Sequence, residues 1–270
     1  MRAYRQAAQL GFSLDPDTQA TLRQLAPLLK GMAAERVRGE LDCLLSLAQG
    51  SVLIWEAWQD GILQTWLPTV GEGELRQLIA LDRTAAQVHE RWPAFSDLLH
   101  SWVKEATVPG LHRSWLKATK LSQLLLPDAD QAEATLTRLK YSRVEQQAVI
   151  SILKGWAILQ PLQHQASLTI AQQYDLFKVT GVGLAGLALL ALVNGVAESV
   201  VMVLLDRYLN PQDPVAHPRP LISGRDLIQG IGLPPGPQIG ELLEAIQLAQ
   251  AEGLVNRRED ALAWVKQQIG

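Results

Sequence analysis

An all-α fold is predicted for this chain from three observations. Apolar residues recur at three- and four-residue spacing along nearly the whole length, as they do in helices with one buried face. Alternating, strand-like runs are scarce. Helix boundary signals punctuate the pattern: Asp15-Pro16, Ser142 with Glu145 three residues later, and Gly236-Pro237. With 270 residues, 48% of them hydrophobic, and eight tryptophans, the chain can build a substantial core and is not a disordered polymer. A formal net charge of −3 excludes a surface that is basic throughout, but leaves room for a local basic track. The one cysteine, Cys43, permits no intrachain disulfide and suits a reducing, cytoplasmic setting.

The first helix covers residues 1–11. Arg2 and Arg5 lie three apart and share a face with Gln6 and Gln9, while Ala3, Tyr4, Ala7 and Leu10 form the packing face. Gly11 ends it in the left-handed conformation that glycine adopts cheaply. Asp15 caps a second helix with Pro16 in its first turn; Leu22 and Leu25 continue one face, and Pro27 ends or kinks it near Ala26. A third helix over 33–47 turns Val37, Leu41, Leu44, Leu45 and Leu47 inward. Gly50 separates it from a fourth over 51–58, and Asp60-Gly61 is a turn. Trp55, Trp58 and Trp66 are expected in the core rather than as stacking platforms.

Helices are expected next over 74–90 and from Pro93 through Phe95, Leu98, Leu99, Trp102 and Val103. Pro109-Gly110 breaks the chain before a helix over 111–126. Pro127-Asp128-Ala129-Asp130 is a turn, with Asp130 expected to cap a helix reaching Lys140. Ser142 and Glu145 form a capping box for a helix over 143–159. Proline and glycine thicken between Asn210 and Gly236, marking a linker or a small tail. Gly236-Pro237 then opens a helix buried through Ile239, Leu242, Leu243 and Ile246.

Several chemistries are excluded by context. Residues 179–197 carry no charge over nineteen positions, near a membrane span in length, but Thr180, Asn194, four glycines and the following Glu198 favour a buried helix. Gly181-Val182-Gly183-Leu184-Ala185-Gly186 fits the dinucleotide fingerprint without the preceding strand it requires, so close helix packing is expected. Asp128-Ala129-Asp130 lacks the strand of a catalytic carboxylate pair, and Arg257-Arg258-Glu259-Asp260 suits a solvated helix start. The five histidines are scattered singly. No residue of this chain is therefore assigned as catalytic or as a metal ligand.

Residues 101–160 hold eight basic and five acidic side chains, net +3, leaving −6 for the rest. Arg113, Lys117 and Lys120 recur on one helical face, and Arg138, Lys140 and Arg143 crowd a short span. Such a track is expected to follow an RNA backbone; a normally charged helix surface explains it equally well.

A resemblance sharpens this. The segments Arg2-Ala3-x-Arg5-x-Ala7-Ala8-x-Leu10-Gly11-Phe12, Asp15-Pro16-Asp17-Thr18, Leu25-Ala26-Pro27-Leu28 and Ala34-Glu35-Arg36-Val37-Arg38-x-Glu40-Leu41 resemble the neck of the bacterial class II tRNA nucleotidyltransferases (CCA-adding enzymes) and their poly(A) polymerase relatives. Residues 136–145 and Tyr174-x-x-Phe177-Lys178-x-x-Gly181 resemble the body. Asp213-Pro214-Val215-Ala216-His217-Pro218, Pro220-Leu221-Ile222-Ser223-Gly224 and the run from Gly232 to Gly253 resemble the tail. The resemblance implies neck-like helices over 1–60 for nucleotide recognition and RNA binding, a helical body over 61–210 and a tail over 211–270. It implies nucleotide-binding roles for Arg2 and Arg5, and bracing of the neck by Glu35, Arg36 and Glu40.

The family's Glu-Asp-x-x-Arg motif would lie before Met1, and its catalytic head, with metal-binding aspartates, is not in this chain. The expected partner is tRNA, with a head encoded separately or upstream, and no membrane is expected. ATP, CTP and Mg are implied for the complete enzyme, and none is assigned to this chain alone. Two alternatives remain: a non-catalytic RNA-binding remnant, and a helical protein-interaction scaffold.

Overall fold

The computed structural model describes residues 1–102 and 113–269, and among these it contains helices and no strands. Val103, the Pro109-Gly110 break, Leu111 and His112 lie outside the described residues. The helices are α1 (Arg2–Leu10), α2 (Pro16–Leu25), α3 (Ala34–Ser46), α4 (Gly50–Gln59), α5 (Glu72–Arg91), α6 (Pro93–His100), α7 (Trp115–Leu124), α8 (Ala129–Arg138), α9 (Arg143–Leu159), α10 (Ile170–Thr180), α11 (Leu184–Val193), α12 (Glu198–Leu209), α13 (Gly224–Ile231), α14 (Pro237–Ala251) and α15 (Arg258–Ile269). A 3₁₀ turn, Ala26–Gly31, follows α2 where Pro27 withdraws its donor.

Two compact units result. The first comprises Met1–Gln163 and Val182–Val196; the second comprises His164–Gly181 and Ala197–Gly270. The tail boundary expected at 211 thus falls inside the second unit.

In the first unit α7 is the central strut, packed on α3, α5, α6, α9 and α11. Of its ten residues only Leu116 escapes full burial. α11 is apolar all round, and residues 184–191 are buried, as suits a helix without a polar face. The longer run Ile170–Val193 is long and apolar enough to cross a membrane by length and composition, with 67% of its most apolar window buried. Close approach explains Gly183, where a Cβ would meet Ser151 Oγ at 2.7 Å, and Gly186, where it would meet Ile152 Cδ1 at 2.5 Å and Thr119 Oγ1 at 2.8 Å, whereas Gly181 has open space and a φ of 49°. In the second unit α13, α14 and α15 enclose Ile222, Leu227, Ile246, Ala249, Val255, Ala261 and Val265.

Several local expectations need correction. Leu10, assigned to the packing face, is exposed, and α2 buries none of its residues. Gly50 is the first residue of α4 and not a spacer before it, and a Cβ there would collide with the Leu44 carbonyl. Asp128, not Asp130, caps α8, accepting from the amides of Asp130 and Gln131. By contrast Asp15 caps α2, and Ser142 and Glu145 form the capping box of α9.

Gly186→Ala is expected to destabilise the first unit by about 1–3 kcal/mol through overpacking against Ile152 and Thr119. Urea unfolding of the variant measures it.

Candidate nucleic-acid interface

The N-terminal helix is placed by its buried side. Tyr4 is fully buried and its hydroxyl donates to Asp60 Oδ2 at 2.6 Å. Asp60, at the end of α4, also accepts from Arg23 Nε at 2.5 Å and Gln19 Nε2 at 3.4 Å. One buried carboxylate therefore ties α1 and α2 to α4. Burial and the Asp60 carboxylate push the Tyr4 hydroxyl above its ordinary value, so it remains a proton donor.

With Tyr4 and Ala7 turned inward, Arg2 lies exposed on the outer side of α1. Arg5 is half-buried and held: its Nε donates to Glu40 Oε2 at 2.6 Å and its Nη1 to Gln9 Oε1 at 2.5 Å. Glu40 thus links α3 to α1. Glu35 and Arg36 are exposed on α3. The two arginines keep a common side of the helix, one fixed and one open to solvent.

The basic track divides in two. Lys117 and Lys120 do share a face, but it is the inward one. Lys117 is 6% exposed, with Nζ 3.6 Å from Asp42 Oδ1 and 3.9 Å from Glu145 Oε1. Lys120 is 1% exposed; its Nζ pairs with Asp82 and donates to the Leu47 carbonyl at 3.2 Å. Neither ammonium reaches a surface where RNA could lie, and both assignments are withdrawn. The physical reason is neutralisation from neighbouring elements: acids on α3, α5 and α9 converge on α7. Arg113 is intermediate in exposure, 3.6 Å from Glu145 and 3.5 Å from the Ser142 hydroxyl.

Arg138, Lys140 and Arg143 remain as the outward set, all exposed around the α8–α9 turn. Arg138 also donates to the Trp66 carbonyl at 2.5 Å. Arg38, to which the sequence assigned no role, joins them: its Nη1 donates to the Lys140 carbonyl, and its guanidinium lies 5.8 Å from the centroid of the Tyr141 ring. Tyr141 is itself anchored, donating to the buried Asp42 at 2.9 Å. Burial pushes the Asp42 carboxyl up, against the pull of Lys117 and Tyr141, and pushes the Tyr141 hydroxyl well up. For Glu145 burial is outweighed by hydrogen bonds from the Ser142 hydroxyl and amide and by Lys117 and Arg113, so its carboxyl lies below its ordinary value.

Among the described residues no three of His, Cys, Asp and Glu are grouped to hold a metal ion. The local donor set is instead guanidinium and ammonium, which recognises phosphate and base edges.

Comparison with known proteins gives the family. A family model for tRNA nucleotidyltransferase domain 2 matches residues 111–265. A second model, the "Probable RNA and SrmB-binding site of polymerase A", matches residues 11–72. The chain is 39% identical to a CC-adding tRNA nucleotidyltransferase of Synechocystis sp., over all of this chain and 63% of that protein. It is 29% identical to an A-adding tRNA nucleotidyltransferase of Deinococcus radiodurans, over 98% of this chain and 66% of that one. In fold it is similar to the Bacillus stearothermophilus CCA-adding enzyme in complex with CTP, with a TM-score of 0.67 at 22% identity, covering 99% of this chain and 60% of the other. A CCA-adding enzyme in complex with ATP gives a TM-score of 0.64 at 20% identity, over 100% and 59%. The chain thus spans about three fifths of the length of these relatives, 63% and 60% in the first of each kind.

The Glu145 environment has a consequence for acid stability. A carboxyl lowered by folding contributes stability that is present above its ordinary value of 4.5 and is lost as pH falls through the folded value. Glu145→Gln keeps the cap, since Gln serves in capping boxes, and removes the titration. Thermal melts below pH 4.5 should therefore fall more steeply for the native chain than for the variant.

Proposed function

Because the chain belongs to the tRNA nucleotidyltransferase family, with the domain 2 model covering residues 111–265, we propose that it is the RNA-binding portion of an enzyme that adds C or A residues to tRNA 3′ ends. On this reading it binds tRNA, and Arg2 and Arg5 contribute to the pocket for the incoming ATP or CTP. A head carrying the catalytic aspartates and Mg, on another polypeptide or another segment, completes the reaction. The place of action is the cytoplasm, where tRNA substrates reside.

The observation that carries the reading is the set of exposed cations, Arg138, Lys140 and Arg143, around the α8–α9 turn, where α9 is tied to α7 by the pair of Glu145 with the buried Lys117. A cluster of exposed cations suits an RNA backbone, whose phosphates are a major source of affinity. At α1 the held Arg5 presents a preset fork, with Glu40 and Gln9 using two of its donor positions, while the exposed Arg2 can swing. That pairing suits a ligand that is partly common to all nucleotides and partly variable. This chain's residues would bind and orient; the metal-assisted chemistry would be supplied by the head.

A purified chain should bind tRNA in a fluorescence anisotropy titration at low salt. Charge reversal at Arg138 and Arg143 together should weaken binding about tenfold or more and lower the salt slope by about one for each phosphate no longer neutralised. Unchanged affinity in the double variant would contradict the RNA-binding reading and favour the protein-interaction scaffold.

A further inference from the structure

The turn between α8 and α9 departs from the chain's own habit. Four other helices close with the same hydrogen bond, from an amide five residues beyond its acceptor: Phe12 to Ala7 at 3.0 Å, Ile62 to Ala57 at 2.9 Å, Val196 to Ala191 at 3.0 Å, and Leu254 to Ala249 at 2.9 Å. In each, the residue before the donor is in the left-handed region, and it is glycine: Gly11, Gly61, Gly195 and Gly253, with φ of 69°, 78°, 90° and 77°. α8 ends with the same bond, Tyr141 to Leu136 at 3.0 Å, but the left-handed residue is Lys140, with φ of 60°. Among the described residues it is the one side-chain-bearing residue with positive φ.

A lysine there is disfavoured relative to glycine, because its Cβ crowds the backbone. Weak attraction between an exposed ammonium and the helix end is a small gain, screened by salt. Local strain of this kind is informative when it sits beside a site, and this one sits beside Arg38, whose guanidinium is pinned to the Lys140 carbonyl and lies near the Tyr141 ring. The strained turn thus brings the Arg38 guanidinium onto the backbone carbonyl of the residue that carries the exposed ammonium.

We propose that Lys140 occupies this glycine position because its side chain, with that of Arg38, forms a preset two-cation corner that grips the backbone phosphate of bound RNA. The inference rests on the RNA-binding reading and adds two things to it: the role of Arg38, and a place where backbone strain serves the grip on phosphate. Arg38 contributes its fork in a direction fixed by the carbonyl bond, and Lys140 contributes a mobile point charge.

The test uses the 270-residue chain and a tRNA transcript, with melting and anisotropy measured on the same samples. Lys140→Gly should raise the melting temperature, by relieving the turn, while weakening tRNA binding about 3- to 10-fold and lowering the salt slope by about one. Lys140→Arg should restore the affinity, and Arg38→Met should weaken it as Lys140→Gly does. If Lys140→Gly melts higher and binds tRNA with native affinity and slope, the lysine is merely tolerated and the proposal fails. It fails equally if the melting temperature does not rise. Loss of binding on reversing Arg138 and Arg143, with full binding by Lys140→Gly, overturns this proposal alone. A folded native chain that binds no tRNA overturns the RNA-binding reading with it.

Discussion

Two ammonium groups inside the first unit constrain everything around them. Lys117 and Lys120 project from the most enclosed helix of the unit, where an unpaired charge would cost several kcal/mol (about 3–5 on loss of a partner). Each is met by carboxylates from other elements: Asp42 on α3 and Glu145 on α9 for Lys117, Asp82 on α5 for Lys120. Apolar packing alone would tolerate small rotations of α7. Ion pairs with fixed partners on three helices do not, because any shift strands a charge in a low-dielectric interior.

The exposed chemistry follows from that buried frame. Asp42, held near Lys117, accepts the Tyr141 hydroxyl, and Tyr141 supports the guanidinium of Arg38 on the outer side. Glu145, the other acid near Lys117, caps α9 through Ser142, which sets where Arg143 begins the helix. At the N-terminal end a separate carboxylate, Asp60, performs the same task for α1 through Tyr4. Two of the outward cations, Arg38 and Arg143, are thus positioned through Asp42 and Glu145. This is consistent with a chain of net charge −3 that nonetheless offers a basic edge.

Much of the fold was legible in the sequence. Helical spacing and boundary signals locate α9 as Arg143–Leu159, the capping box at Ser142, the entrance of α14 at Pro237 and the burial of α11, because each depends on interactions within a few residues. What was hidden depends on partners far away in sequence. Arg113, Lys117 and Lys120 look like a surface track until Asp42, Asp82 and Glu145 arrive from α3, α5 and α9. One signal pointed the other way: Trp115, Leu116, Ala118, Leu121, Ser122 and Leu124 encircle α7 and leave no polar face for solvent. Asp60 had no such signal, since beside Gly61 it looks like any turn residue, and its role depends on Tyr4, 56 residues away. Arg38 was likewise invisible, because its partner, the Lys140 carbonyl, lies 102 residues on.

The frame of buried pairs is tested most directly by a double-mutant cycle on Lys120 and Asp82. Urea unfolding of Lys120→Met, Asp82→Leu and the double variant gives the coupling energy between the two side chains. The account predicts that the singles are each strongly destabilised and that the double recovers part of the loss, with a coupling of about 1–3 kcal/mol. Additive single effects, with no coupling, would contradict it.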